Sequence, residues 1–144
     1  MKMKRYVLLL SEYFPKGHPK AGCKTDFYSK YIHGDKIQTI RANYDLWNTR
    51  IEEINKGNAY LSIRFWEGKP YRSKQHEFAR LYEVGIQKLQ FKDLSRMANV
   101  EGNMIDLPLL AKNDGLEFND FFYWFKTYNL KDPMAIIQFT PFRY

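Results

Sequence analysis

Within eight residues, Gly34-Asp35-Lys36-Ile37-Gln38-Thr39-Ile40-Arg41 supplies an amine, a hydroxyl and a guanidinium, groups that can converge on one small polar ligand. Lys36 and Thr39 also have a catalytic reading. A threonine hydroxyl attacks a carbonyl only when a neighbouring base takes its proton, and a lysine is that base only when burial or nearby cations lower its pKa. Arg41 and Arg64 are the cations that can lower it, and either can hold an anionic or carbonyl oxygen. If residues 37–43 are extended, the two-residue period puts Thr39, Arg41 and Asn43 on one face and Gln38 and Ile40 on the other. Lys36 joins Thr39 only by sitting in the turn that precedes the strand.

The flanking pattern predicts the elements that hold this stretch. Residues 6–11 are an apolar run expected as a buried first strand, and residues 14–24, with two Pro, two Gly and three Lys, read as a solvated basic loop or a mobile lid. Thr25-Asp26 offers a cap for a short helix carrying Phe27, Tyr31 and Ile32, with Gly34 at its end. Leu46, Trp47, Arg50, Ile51 and Ile54 predict an amphipathic helix. Residues 59–66 alternate as a half-buried strand whose second face carries Arg64 and Trp66, followed by a basic loop with Arg72 and Lys74. Residues 78–91 read as one long strand with a bulge between Ile86 and Leu89. Residues 92–103 are expected as a short helix and loop. Phe118, Phe121, Phe122 and Phe125 mark a helix, and residues 134–139 a central strand. Five or six bent strands with interspersed helices predict a single α+β domain over residues 1–144, a small β-barrel with helices packed at its ends.

Composition narrows the chemistry. A chain of 144 residues supports one well-buried core, and an aromatic content of 17% fills it without the Leu and Ala excess of a helical bundle. The net charge of +7 favours an anionic partner, and the excess is confined to residues 1–80, which carry 16 Lys and Arg against 8 Asp and Glu. A single cysteine, Cys23, excludes an internal disulfide, and three scattered histidines leave no metal-binding pattern. No cofactor motif occurs. No apolar run is long enough for a membrane span, so a soluble cytoplasmic protein is expected.

The Gly34–Arg41 stretch resembles the G-x-K-x-x-T-x-R signature of ASCH domains in the PUA-like superfamily. Ala111-Lys112-Asn113-Asp114-Gly115-Leu116, then Asp120-Phe121-Phe122, resembles the family's downstream A-x-x-E-G segment and its D-F helix. The resemblance implies a PUA-like barrel with a cleft beside the signature strand and a role in binding RNA, nucleosides or nucleotides. One branch of the family hydrolyses N4-acetylcytidine. Carried over, Lys36 is the base, Thr39 the nucleophile and Asp114 the carboxylate that orients the amine or shuttles a proton. Asp114 departs from the branch's Glu, and its reach is shorter by roughly 1.5 Å, one carbon–carbon bond.

Three functions follow as expectations. The first is an RNA- or nucleotide-binding domain whose ligand contacts include Arg41, Asn43, Arg64, Trp66, Arg72 and Lys74. The second is a small amidohydrolase using Lys36, Thr39 and Asp114. The third is a non-catalytic protein-interaction domain, in which Thr39 is only a strand residue, Lys36 a solvated turn lysine, and Asp114 an Asx turn or helix cap.

Overall fold

The periodic segments become eight strands and four helices in a computed structural model that describes residues 2–94 and 96–144. In chain order they are β1 (Lys4–Leu9), α1 (Phe27–Ile32), β2 (Gln38–Ala42), α2 (Tyr44–Asn55), β3 (Ala59–Trp66), β4 (Gln75–Leu81), β5 (Gly85–Phe91), β6 (Met97–Val100), β7 (Asn103–Asp106), α3 (Leu107–Asn113), α4 (Phe118–Phe125) and β8 (Met134–Gln138). Among the described residues the strands form two sheets, β1-β3-β4 and β2-β8-β5-β6-β7. β1 runs parallel to β3, and the remaining ladders are antiparallel.

The fold is therefore α+β, but no ladder among the described residues closes the sheets into the expected barrel of five or six strands. The bulged strand over residues 78–91 is also corrected. The chain leaves strand conformation at Tyr82-Glu83-Val84 and passes from the first sheet to the second, and β5 then runs without a bulge, with Leu89 and Phe91 buried and Ile86 half-buried on its other face. A register shift does occur, between Ile63 and Arg64. The described residues of the 92–103 segment hold no helix, and Ser95 lies outside the described residues. β6 and β7 form a hairpin through Glu101 and Gly102, at φ of 51° and 90°. Two central residues at positive φ match the right-handed twist of paired strands.

α2 buries Trp47, Ile51 and Ile54 and packs on β3, β5 and β8, so one amphipathic helix bridges both sheets. Leu46, expected on that buried face, is exposed. β8 lies between β2 and β5 and is buried throughout, as its unbroken apolar run predicts. Phe121 and Phe125 of α4 close over Phe91, with ring centroids 6.2 and 5.7 Å away. Each fully buried ring or branched side chain contributes about 1.5 to 3 kcal/mol.

The 14–24 loop is not simply solvated. Phe14 and His18 are buried, and the Phe14 amide donates to the Cys23 carbonyl at 2.9 Å. Lys20 Nζ meets Asp120 Oδ2 at 2.8 Å, and His18 Nε2 lies 3.0 Å from the Asp120 carbonyl oxygen, fastening the loop to α4. No helix among the described residues is long and apolar enough to cross a membrane.

Candidate functional site

Gly34 follows α1 at φ +81°, a left-handed conformation that glycine adopts without a Cβ clash. The reversal aims the amides of Asp35 and Lys36 at one acceptor, the Lys30 carbonyl, at 2.8 and 3.1 Å. Lys36 is thereby fixed in the turn ahead of β2. From the other side of the sequence, the Asp114 amide ends α3 on the Leu110 and Ala111 carbonyls at 3.1 and 3.0 Å, and Gly115 turns the chain at φ +83°. A Cβ on Gly115 would stand 3.2 Å from Lys36 Cβ, so this turn rests on the stem of the lysine. The Ile37 amide donates to the Asn113 carbonyl at 3.0 Å and locks the two turns together.

These turns bring Lys36 and Asp114, 78 residues apart, into contact. Lys36 Nζ donates to the Asp114 carbonyl at 2.7 Å and lies 3.4 Å from Asp114 Oδ1. Both side chains are nearly inaccessible, 1% and 6% exposed. The Phe27 ring faces the same ammonium, 4.2 Å from its centroid. On β2, Arg41 Nη1 donates to Thr39 Oγ1 at 2.7 Å and Nη2 to the Leu9 carbonyl at 2.6 Å. Arg41 and Asp114 interact electrostatically, which links all four side chains into one group.

Two cations in this group face one carboxylate. Loss of hydration pushes the Lys36 ammonium down to about 8, and repulsion from Arg41 and Lys30 adds to the effect while Asp114 opposes it. Burial also lowers Arg41, and it raises Asp114 against the pull of Lys36 and Arg41. Asp114 is the C-cap of α3 through its backbone amide and does not cap α4, whose N-cap position is held by Glu117.

The group is closed. Cavities of about 450, 720 and 310 Å³ surround it, and none of the three is lined by Lys36, Thr39, Arg41 or Asp114. The largest is bounded by their neighbours Asp35, Ile37, Asn113 and Gly115. Tyr128 borders both of the others and interacts with Arg41. Phe27 shields Lys36, Trp124 backs Phe27 at 5.8 Å, and Phe14 of the basic loop backs Trp124 at 5.8 Å.

The other expected ligand contacts lie elsewhere. β2 ends at Ala42, and Asn43, at φ 68°, caps α2 by accepting from the Leu46 amide at 3.2 Å. It therefore leaves the face shared by Thr39 and Arg41 and lines the 450 Å³ cavity instead. Arg64 donates to Ser62 Oγ at 2.8 Å and Gln75 Oε1 at 3.0 Å, on the outer side of the first sheet. Trp66, Arg72 and Lys74 belong to that side and its adjoining loop.

Sequence reasoning missed Lys30, whose Nζ donates to the Gly115 carbonyl at 2.7 Å. It also missed Tyr144, whose hydroxyl donates to Gln38 Oε1 at 2.5 Å and accepts from Asn113 Nδ2 at 2.9 Å. Nothing local marks either residue, because each acts across a long sequence separation. Among the described residues no three His, Cys, Asp or Glu side chains converge to hold a metal ion. The chain matches no protein-family model, no curated protein and no solved structure.

Proposed function

We propose that this chain is a nucleotide- or RNA-binding domain of the ASCH type, with Lys36, Thr39, Arg41 and Asp114 as its ligand site and its two sheets an opened PUA-like barrel. The observation that carries this reading is the surplus of positive charge around one buried carboxylate: buried Lys36 and half-buried Arg41 share Asp114. A buried charge without a full partner costs several kcal/mol, and a phosphate or carbonyl oxygen entering between the cations relieves that cost. Thr39 adds a hydroxyl donor, and Asp114 an acceptor for a base amine. The G-x-K-x-x-T-x-R resemblance supports the assignment, since residues matched from two distant motifs fall into one group. Entry requires the Phe14–Phe27–Trp124 cover to shift.

Thermal unfolding with a panel of nucleosides and nucleoside monophosphates tests the reading. A ligand at a hundredfold excess over its Kd stabilises by about 2.7 kcal/mol. The shift is expected to vanish in Arg41→Ala. No shift with any of the panel, or an undiminished one in that variant, rejects the proposal.

One observation favours a second reading, hydrolysis of an N4-acylated cytidine. With a pKa of about 8, roughly a tenth of Lys36 is neutral at pH 7. Thr39 Oγ would attack the acetyl carbonyl and pass its proton to Lys36, with the oxyanion held by Arg41. Collapse breaks the C–N bond, the cytosine amine leaves with the proton from Lys36, and water then cleaves the threonyl ester to acetate. Release of cytidine from N4-acetylcytidine, abolished by Thr39→Ala, is the expected result; no cytidine sinks this reading alone.

A further inference from the structure

We propose that the outer face of the β1-β3-β4 sheet, together with the 67–74 loop at its end, binds single-stranded RNA. The proposal extends the nucleic-acid reading but shares no residue with the Lys36 group. Pleating defines the face: Ala59, Leu61 and Ile63 point into the core at 0% exposure, so Tyr60, Ser62, Arg64 and Trp66 project the other way, Ser62 being covered by the Arg64 and Glu77 side chains that bond it. The register adds Arg5 opposite Tyr60 from β1, and Arg80, Glu77 and Gln75 from β4.

Charge and ring placement select the occupant. Arg5, Arg64 and Arg80 lie on the face and Lys69, Arg72 and Lys74 in the loop, against two carboxylates, Glu67 and Glu77. Glu77 is engaged by Ser62 and by Arg80 Nε at 2.6 Å, and Glu67 lies 3.7 Å from His76 Nδ1. The remaining charge is cationic and complements a polyanion. Aromatic pairs mark the two ends: Tyr60 with Tyr82 at 5.8 Å, and Trp66 with Tyr71 at 5.2 Å. The Arg80 guanidinium covers Tyr60 at 4.9 Å. Tyr71 is 88% exposed and sits at φ 63°, so its ring is presented to solvent and not used to fill the core.

Tyr60 and Trp66 are about 20 Å apart along an extended strand, room for roughly six stacked nucleotides. Every base has a π-face to lay on such rings while the cations track the phosphates. A duplex hides those faces. Gln75, beside Trp66, and Glu77, between the aromatic ends, are acceptors for a ribose 2′-hydroxyl, which DNA lacks.

Fluorescence anisotropy of a labelled mixed-sequence oligoribonucleotide of about twelve nucleotides with the intact chain tests this. Affinity is expected to fall with salt at a log–log slope of about −3 if Arg5, Lys69, Arg72 and Lys74, the cations outside the Glu77 ion pairs, meet phosphates. Tyr71→Ala, exposed enough to leave the fold intact, should weaken binding about tenfold, the loss of one stacked base. The double variant Arg72→Ala/Lys74→Ala should flatten the slope by about 1.4. DNA of the same sequence should bind several-fold more weakly. Wild-type affinity in Tyr71→Ala, or equal binding of DNA, overturns the proposal. RNA binding lost in Arg41→Ala but kept in Tyr71→Ala also overturns it and leaves the Lys36 reading standing. A Tyr71 effect without any nucleotide-induced thermal shift does the reverse.

Discussion

On folding, Lys36 gives up its hydration for one backbone carbonyl, a phenyl face and a carboxylate shared with Arg41. Its amine titrates near 10.5 when unfolded and near 8 when folded, so between these values the unfolded chain binds the extra proton. Stability therefore rises with pH across that window, by roughly 3 kcal/mol over its full width. Tyr144, pushed by burial from 10 to about 12, acts oppositely above pH 10, where the folded state keeps a proton that the unfolded state loses. The raised Asp114 acts at the acidic end, where stability falls as pH rises through its window. The readable interval is thus pH 8 to 10. Urea unfolding at about pH 7.5 and about pH 9.5 should show a gain for the native chain that Lys36→Met lacks, and equal slopes in the two proteins would dismiss the buried-cation account. The resemblance of two segments 78 residues apart, not spacing, is what grouped Lys36, Thr39 and Asp114 in advance. The destinations of Asn43, Arg64 and Trp66 were not legible, because they depend on where β2 ends and which face of β3 meets the core.

Elements were legible where burial imposes one period. α2, β3, α4 and β8 fall where their apolar spacing places them. The parity change after Ile86 was visible but misleading, since a half-buried Ile86 on the face opposite Leu89 and Phe91 alters the apolar alternation just as a bulge would. The β6–β7 hairpin turns on Glu101-Gly102 in place of the usual Asn-Gly or Asp-Gly, and its short strands carry too few apolar residues to declare a period. The turn between α3 and α4 is built on Asn113-Asp114-Gly115, with Gly115 at φ +83°, but its seating on Lys36 was not legible. That seating has a measurable consequence. Gly57, at φ +85° with nothing within 4 Å of where a Cβ would stand, isolates the backbone cost of alanine, about 1 kcal/mol. Gly115 adds the contact with Lys36 Cβ at 3.2 Å, beside Lys30 Cδ at 3.4 Å. Gly115→Ala should therefore lower stability by about 1 kcal/mol more than Gly57→Ala in urea titrations, and it alone should weaken the nucleotide-induced thermal shift. Matching losses in the two variants would mean that the turn does not bear on the lysine.

Across the whole molecule, the charge imbalance along the chain becomes an imbalance in space. The β1-β3-β4 sheet is built within residues 4–81, almost entirely from the basic segment, while the larger sheet takes only β2 from it. The same basic segment supplies the loop that fastens onto α4 and backs the aromatic cover of the Lys36 group. How readily that cover opens then depends on its fastenings. Lys20 meets Asp120 with 49% of the lysine side chain exposed, so solvent screens the pair and keeps its contribution small. Its loss should raise the open population by no more than about fivefold. Lys20→Met is accordingly expected to speed hydrogen exchange of the Phe14, Ala21 and Cys23 amides, each bonded at 2.9 Å within the loop, by up to that factor. The amides of β8 should keep their native rates. Uniform acceleration of both regions would show global destabilisation, and unchanged loop exchange would show that Phe14 and His18, not the ion pair, hold the cover shut.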